Sequence, residues 1–138
     1  MTSLLNPYLS FDGSAREAME FYQGVLGGEL EVMTFGQYGG APADGVMHAR
    51  LETPSGFHLM AADLPEGESM TVGTNITLSL SGDDTDDLTG YFQKLSEGGT
   101  VTMPLEQQMW GDSFGMFTDR FGIGWMVNIA SEGNPETS

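Results

Sequence analysis

The sequence predicts an α+β fold of two tandem βαβββ modules, and three observations carry that prediction. The stretch LNPYLSFDG, Leu5 to Gly13, returns as TNITLSLSG, Thr74 to Gly82, with Asn6 on Asn75 and Gly13 on Gly82. An apolar stripe at helical spacing follows each copy: Ala18, Phe21, Tyr22 and Val25 in the first half, Leu88, Tyr91, Phe92 and Leu95 in the second. GFHLM, Gly56 to Met60, is echoed by GIGWM, Gly122 to Met126. Echoes that keep their order in both halves mark an internal duplication, which has to be recognised before any fold is assigned.

Each element has a local reason. Leu5 to Asp12 alternates apolar and polar residues as a half-buried strand does, and Pro7, which has no N–H, places it at an edge. Ser14 and Glu17 have capping-box spacing, so a helix runs from there to about Leu26 and stops at Gly27-Gly28. A strand follows over Glu29 to Phe35, then the glycine-rich stretch Gly36 to Gly45, read as a flexible surface loop. Met47, Ala49 and Leu51 alternate with His48, Arg50 and Glu52 in a third strand, and Pro54-Ser55-Gly56 turns into a fourth, Phe57 to Ala62. The second half repeats the plan: strand Asn75 to Ser81, helix from about Asp84 to Ser96, and strands Thr100 to Met109, Phe114 to Thr118 and Gly124 to Ile129. The chain is expected to be one domain over 1–138, with modules at about 4–63 and 74–130, a linker at 64–73 and a disordered polar tail at 131–138.

Composition narrows the function. Four basic residues against twenty acidic ones give a formal charge of −16, which repels nucleic-acid phosphates and anionic lipid, so neither nucleic acid nor membrane is expected as a partner. The cluster Asp83, Asp84, Asp86 and Asp87 falls at a helix start, where negative charge is favourable. No cysteine is present, which excludes disulfides and thiol chemistry. No apolar run approaches the roughly 18 residues of a membrane span, and no export signal is visible, so a cytoplasmic location is expected. The chain has no G-x-G-x-x-G after a strand, no P-loop, no G-x-S-x-G and no H-E-x-x-H, which removes dinucleotide, nucleoside triphosphate, serine-hydrolase and zincin chemistry.

Two helices cannot cover both faces of eight strands. Alternation assigns Leu9, Phe11, Leu59, Ala61, Ile76, Leu78, Leu80, Trp125, Val127 and Ile129 to the helix side. The other face then carries Asn6, Tyr8, Ser10, His48, Arg50, Glu52, His58, Met60, Asn75, Thr77, Ser79, Met126 and Asn128. That set is too polar for a core and too mixed for a plain solvent face, and it suits a small-molecule cavity. His48 and His58 stand singly, which is commoner for structural histidines than for ligands or bases. With Glu52 they are the candidate catalytic groups.

The duplicated plan resembles the vicinal oxygen chelate superfamily, which contains glyoxalase I, extradiol dioxygenases and the bleomycin- and fosfomycin-resistance proteins. NPYLSFDGSAREAMEFY, Asn6 to Tyr22, and WGDSFGMFTDRFGIGWMVN, Trp110 to Asn128, are similar to its PhnB-like branch, often labelled demethylubiquinone-methyltransferase-like. The resemblance implies a glyoxalase-like curved sheet around a cavity, a small organic ligand and a homodimer. Metal enzymes of the superfamily place ligands, usually His and Glu, on the first and last strand of each module. Carried across, those positions are Asn6, Asn75, Met60 and Met126, none a customary ligand for a hard divalent ion. No cofactor is therefore expected, a divalent metal at another position being the alternative, and no glycine-rich turn is present for a methyl donor. The expected function is metal-independent binding of a small molecule by Asn6, Tyr8, Ser10, Arg50, Met60, Asn75, Thr77, Trp110, Phe114, Met126 and Asn128. The alternative is a metal- or histidine-dependent lyase, isomerase or oxygenase with a displaced centre at His48 or His58; a pure protein-interaction module is a third possibility.

Overall fold

The computed structural model describes residues 3–131, so the expected tail lies, beyond Ser131, outside the described residues. The chain divides between Thr71 and Val72, inside the expected linker, into two compact units. Each has the order strand, helix, three strands, and each forms a four-stranded mixed sheet that does not close into a barrel. The two tandem βαβββ modules are thus present.

The first unit holds β1 (Tyr8–Phe11), α1 (Ala15–Leu26), β2 (Glu29–Thr34), β3 (Val46–Glu52) and β4 (His58–Asp63), with sheet order β1-β4-β3-β2. β1 runs parallel to β4 and is an edge, as Pro7 requires; the Pro7 carbonyl accepts from Met60 N–H at 3.1 Å. α1 lays Ala15, Ala18, Met19, Tyr22 and Leu26 against the sheet, where Phe11, Ala49, Leu51, Leu59 and Ala61 are also buried. The stripe is rotated from the expected one, and Phe21 and Val25 are only half-buried. The capping box does not form: Ser14 makes no side-chain cap bond. The buried Asp63 carboxylate does that work from the end of β4, accepting from Gly13 and Ala15 N–H through Oδ1 (3.0 and 2.9 Å) and from Val46 N–H through Oδ2 (2.9 Å). The 36–45 stretch, expected as a flexible loop, contains a 3₁₀ turn (Gly36–Tyr38) and is pinned by backbone bonds from Gly36 N to Ala43 O and from Gly40 N to Phe35 O.

The second unit holds β5 (Leu78–Gly82), α2 (Thr85–Leu95), β6 (Thr100–Gln107), β7 (Ser113–Thr118) and β8 (Gly124–Ile129), in the order β5-β8-β7-β6. Leu88, Phe92 and Leu95 of α2 are buried with Leu80, Phe117, Trp125, Val127 and Ile129. Phe92 meets Phe117 edge-on at 5.1 Å, and a Cβ at Gly115 would come within 2.7 Å of the Phe92 ring. Close approach of helix to sheet is why β7 carries a glycine there. Asp84 caps α2 by accepting from Asp87 N–H at 3.3 Å. The expectation fails for Ile76, which precedes β5 and is 80% exposed.

Hydrogen bonds test the two echoes separately. Thr53 N bonds Phe57 O and Gly56 N bonds Thr53 O; Asp119 N bonds Ile123 O and Gly122 N bonds Asp119 O. GFHLM and GIGWM therefore occupy equivalent hairpins. Leu64 N bonds Phe11 O, whereas Ala130 N bonds Gly82 O, so Phe11 corresponds to Gly82 and Tyr8 to Ser79. The first echo is thus out of true register by two residues. Because side chains alternate with a period of two, that slip leaves each residue's face unchanged.

Candidate functional site

The strand registers place the open-face residues in rows. In the first unit Tyr8 lies beside Met60, Met60 beside Arg50 and Arg50 beside Glu31. The next row toward the β3–β4 turn is His58, Glu52 and Glu29. Two polar groupings result. Tyr8 Oη lies 3.4 Å from His48 Nδ1, with the rings 5.9 Å apart. Arg50 lies 3.4 Å from Glu31 and 3.6 Å from Glu52, whose Oε1 is 3.8 Å from His58 Nδ1.

The two histidines are therefore divided, His48 with a phenol and His58 with a carboxylate. Arg50, Glu52 and Glu31 are 41, 50 and 68% exposed, so these ion pairs are worth at most about 1 kcal/mol each. Their chemical consequence is larger. Arg50 is already faced by two carboxylates, so an incoming anion would have to compete with both. Glu31 is a participant that sequence reasoning missed, because its place opposite Arg50 follows only from the β2–β3 pairing.

In the second unit Ser79 lies beside Met126, Met126 beside Met116 and Met116 beside Met103. Three thioethers thus run across adjacent strands of the open face. Asn128 and Phe114 pair one row further along, and the Asn128 amide donates to the buried Asp112 carboxylate at 3.2 Å. Trp110, 56% exposed, sits in the turn between β6 and β7, where Gly111 N bonds Gln108 O. Asn6 and Asn75 precede β1 and β5 rather than lying in them. Ser10 is exposed on β1, and Thr77 lines a cleft within this second unit. The neighbours of Met60 and Met126 on the first strands are Tyr8 and Ser79.

Residues 4–127 match the Glyoxalase/Bleomycin resistance protein/Dioxygenase superfamily. The chain belongs to that superfamily. It is 35% identical to the Mycobacterium bovis protein Mb0911c over 132 residues, 89% of this chain and 80% of that one. It is 28% identical to Protein YjdN of Escherichia coli, over 93% of this chain and 96% of YjdN. Among solved structures, protein PA1353 of Pseudomonas aeruginosa superposes with a TM-score of 0.85 at 42% identity, covering 95% of this chain and all of that one. A Bacillus cereus PhnB protein, a putative 3-demethylubiquinone-9 3-methyltransferase, shares the fold with a TM-score of 0.77 at 23% identity over 93% of this chain and 100% of that one. A PhnB neighbour is what the two end motifs imply.

Membership raises the question of a metal, and the donors can be tested against one. The first- and last-strand positions offer Asn6, Tyr8, Asn75, Ser79, Met60 and Met126: amides, a phenol, an alcohol and two thioethers. Thioethers favour soft ions, and neutral amide or hydroxyl oxygens do not replace the imidazole and carboxylate that hold Zn, Ni, Fe or Mn. Among the described residues, no three His, Asp or Glu side chains are grouped to hold a metal ion. This donor set does not fit a hard divalent metal. Among the described residues, no helix is long and apolar enough to cross a membrane.

Proposed function

We propose that this chain is a metal-independent, small-molecule-binding protein of the superfamily, acting in the cytoplasm as a homodimer. The observation that carries the reading is the donor set at the positions where the resemblance puts imidazole and carboxylate, Asn6, Asn75, Met60 and Met126, with Tyr8 lying beside Met60 and Ser79 beside Met126. Such surfaces suit van der Waals contact with a few hydrogen bonds, the usual make-up of a ligand site. The test is metal uptake by protein first stripped with chelator and then offered Ni, Zn, Mn and Fe in turn, alongside a thermal-shift screen of organic compounds in chelator. Organic compounds should raise the melting temperature with no stoichiometric metal bound; one tightly held ion per chain would defeat the proposal.

A second reading, a histidine-dependent enzyme, draws on the Tyr8–His48 and Glu52–His58 pairs, each of which joins two groups able to exchange a proton. If metal is taken up, His48→Ala and His58→Ala identify the strand that holds it.

A further inference from the structure

We propose that the ligand is an uncharged molecule with an apolar body and few hydrogen-bonding groups. We place it in a cleft of the second unit that lies where β7 turns into β8 and shares only Met116 with the methionine row. The inference rests on the small-molecule reading above and gives it a place and a chemical class. The cleft has a volume of about 370 Å³, within the range of small-ligand pockets. Its walls come from the segment leading into β5 (Ile76, Thr77), from β6 (Thr102), from the end of β7 (Met116, Thr118) and from the start of β8 (Gly124). Of the binding residues expected from the sequence, only Thr77 lines it, while Trp110 and Phe114 lie toward the other end of β7.

Among the described residues, no ionisable side chain lines this cleft. A charged ligand would shed its hydration there without meeting an opposite charge, which is strongly unfavourable, and the formal charge of −16 adds repulsion against anions. Threonine hydroxyls both donate and accept, so they serve amides, alcohols and carbonyls equally. The floor is built firmly. Trp125, which lines the cleft, donates its indole N–H to Asp119 Oδ2 at 2.9 Å, and the same carboxylate accepts from Phe121 and Ile123 N–H at 2.9 and 3.0 Å. Gly124 leaves the cleft its room. A Cβ placed there would have Thr77 Oγ1 at 3.6 Å and Ile76 O at 3.7 Å as its nearest neighbours, ordinary contacts, so a larger side chain would enter the cleft without disturbing the strand.

The experiment is methyl NMR on the full chain labelled at isoleucine and methionine, titrated with benzamide, indole, benzoate and benzylamine. Benzamide and indole should shift the Ile76 and Met116 methyls before those of Met60. Benzoate, the charged near-isostere of benzamide, and benzylamine should bind about tenfold or more weakly, a difference of at least one decade in Kd. Gly124→Leu should abolish the shifts; Thr77→Leu, which fills the cleft from the loop, serves if the first variant folds poorly. The location is overturned if benzamide shifts Met60 or Met126 while Ile76 is silent, or if binding survives both filled variants. The chemical class is overturned if benzoate binds as tightly as benzamide. If neither neutral probe nor a wider neutral set moves any methyl, the small-molecule reading itself fails.

Discussion

Asp119→Ala removes the buried carboxylate that holds the β7–β8 turn, and its cost can be worked from the groups left behind. Asp119 is 3% exposed and accepts hydrogen bonds from the Phe121 and Ile123 amides and from the Trp125 indole. The two amides are part-buried and regain water readily, so each is assigned about 0.5 to 1 kcal/mol, near the net value of an ordinary bond. The indole is buried beneath α2, and loss of a charged acceptor from a buried donor costs about 1 to 3 kcal/mol. The expected loss is therefore about 3 kcal/mol, a large part of the roughly 5 to 15 kcal/mol that holds a domain together. Urea unfolding followed by circular dichroism should show the midpoint falling by about 1.5 M, given a slope near 2 kcal/mol per molar. Two further readouts separate this cause from general damage. On a Trp110→Phe background, emission reports Trp125 alone and should shift to the red. Hydrogen exchange should accelerate at the Phe121 and Ile123 amides ahead of those in β5. A loss under about 0.5 kcal/mol with an unchanged slope would refute the view that the carboxylate holds this turn.

Three other outcomes follow from the same geometry. Asp63→Asn should cost about 2 to 4 kcal/mol in urea unfolding, since an amide turns a donor toward at least one of the Gly13, Ala15 and Val46 N–H groups, whereas Ser14→Ala should change stability by less than about 0.5 kcal/mol because its hydroxyl caps nothing. Gly28→Ala and Gly99→Ala should each cost about 2 kcal/mol or more, since a Cβ would overlap the carbonyl oxygens of Glu52 and Thr118; Gly24→Ala, in open space on α1, should stabilise by about 0.5 to 1 kcal/mol. The Asp87 carboxyl is raised from its ordinary value, first by its hydrogen bond with the Asp84 side chain, then by the charge of Asp84, by desolvation and by Asp86. A raised value means that the folded state binds that proton more tightly, so this contribution is present in acid and is lost as pH rises through the Asp87 value. Asp87→Asn should therefore stabilise at neutral pH and be without effect in acid, and a carboxyl ¹³C titration of Asp87 checks the direction.

The fold was legible because its signals are local and occur twice. Gly27-Gly28 stops the first helix and Gly98-Gly99 follows the second within a turn of its Ser96 cap, and the second glycine of each pair passes against a strand carbonyl where no side chain fits. The alternation of β4 and β8 sorted core from open face correctly, whereas in β3 a register shift buries Val46 in place of Met47, and even a strand matched two residues out of register kept its faces. What was not legible depends on partners distant in sequence. The sequence offers Ser14 and Glu17 as a cap, yet the helix is held by Asp63, 48 residues from Ala15. Arg50 is expected on the open face, but that Glu31 lies beside it follows only from the β2–β3 pairing. The cleft draws on the segment ahead of β5 and on three strands, and nothing in the order of its threonines or of Gly124 marks them as neighbours.

Each unit closes the end of its sheet with a buried aspartate, but the two copies take it from different places in the sequence. In the first, Asp63 at the end of β4 reaches the Val46 amide at the start of β3. In the second, the buried Asp112 just before β7 accepts from the Ser131 amide just after β8 at 2.9 Å. The same corner is thus sealed by one buried aspartate in each unit, contributed from opposite strands. A buried carboxylate persists only with its hydrogen bonds satisfied, so neither aspartate is available to a ligand or a metal. With Asp119 also committed to its turn, the buried carboxylates among the described residues are all structural. On the open faces Glu31 and Glu52 are matched to Arg50 and His58, while Glu29 and Glu106 share rows with Glu52 and Phe114. Among the described residues no carboxylate lines the second-unit cleft of this chain with its twenty acidic residues, and that is the physical ground for seeking its ligand among neutral molecules.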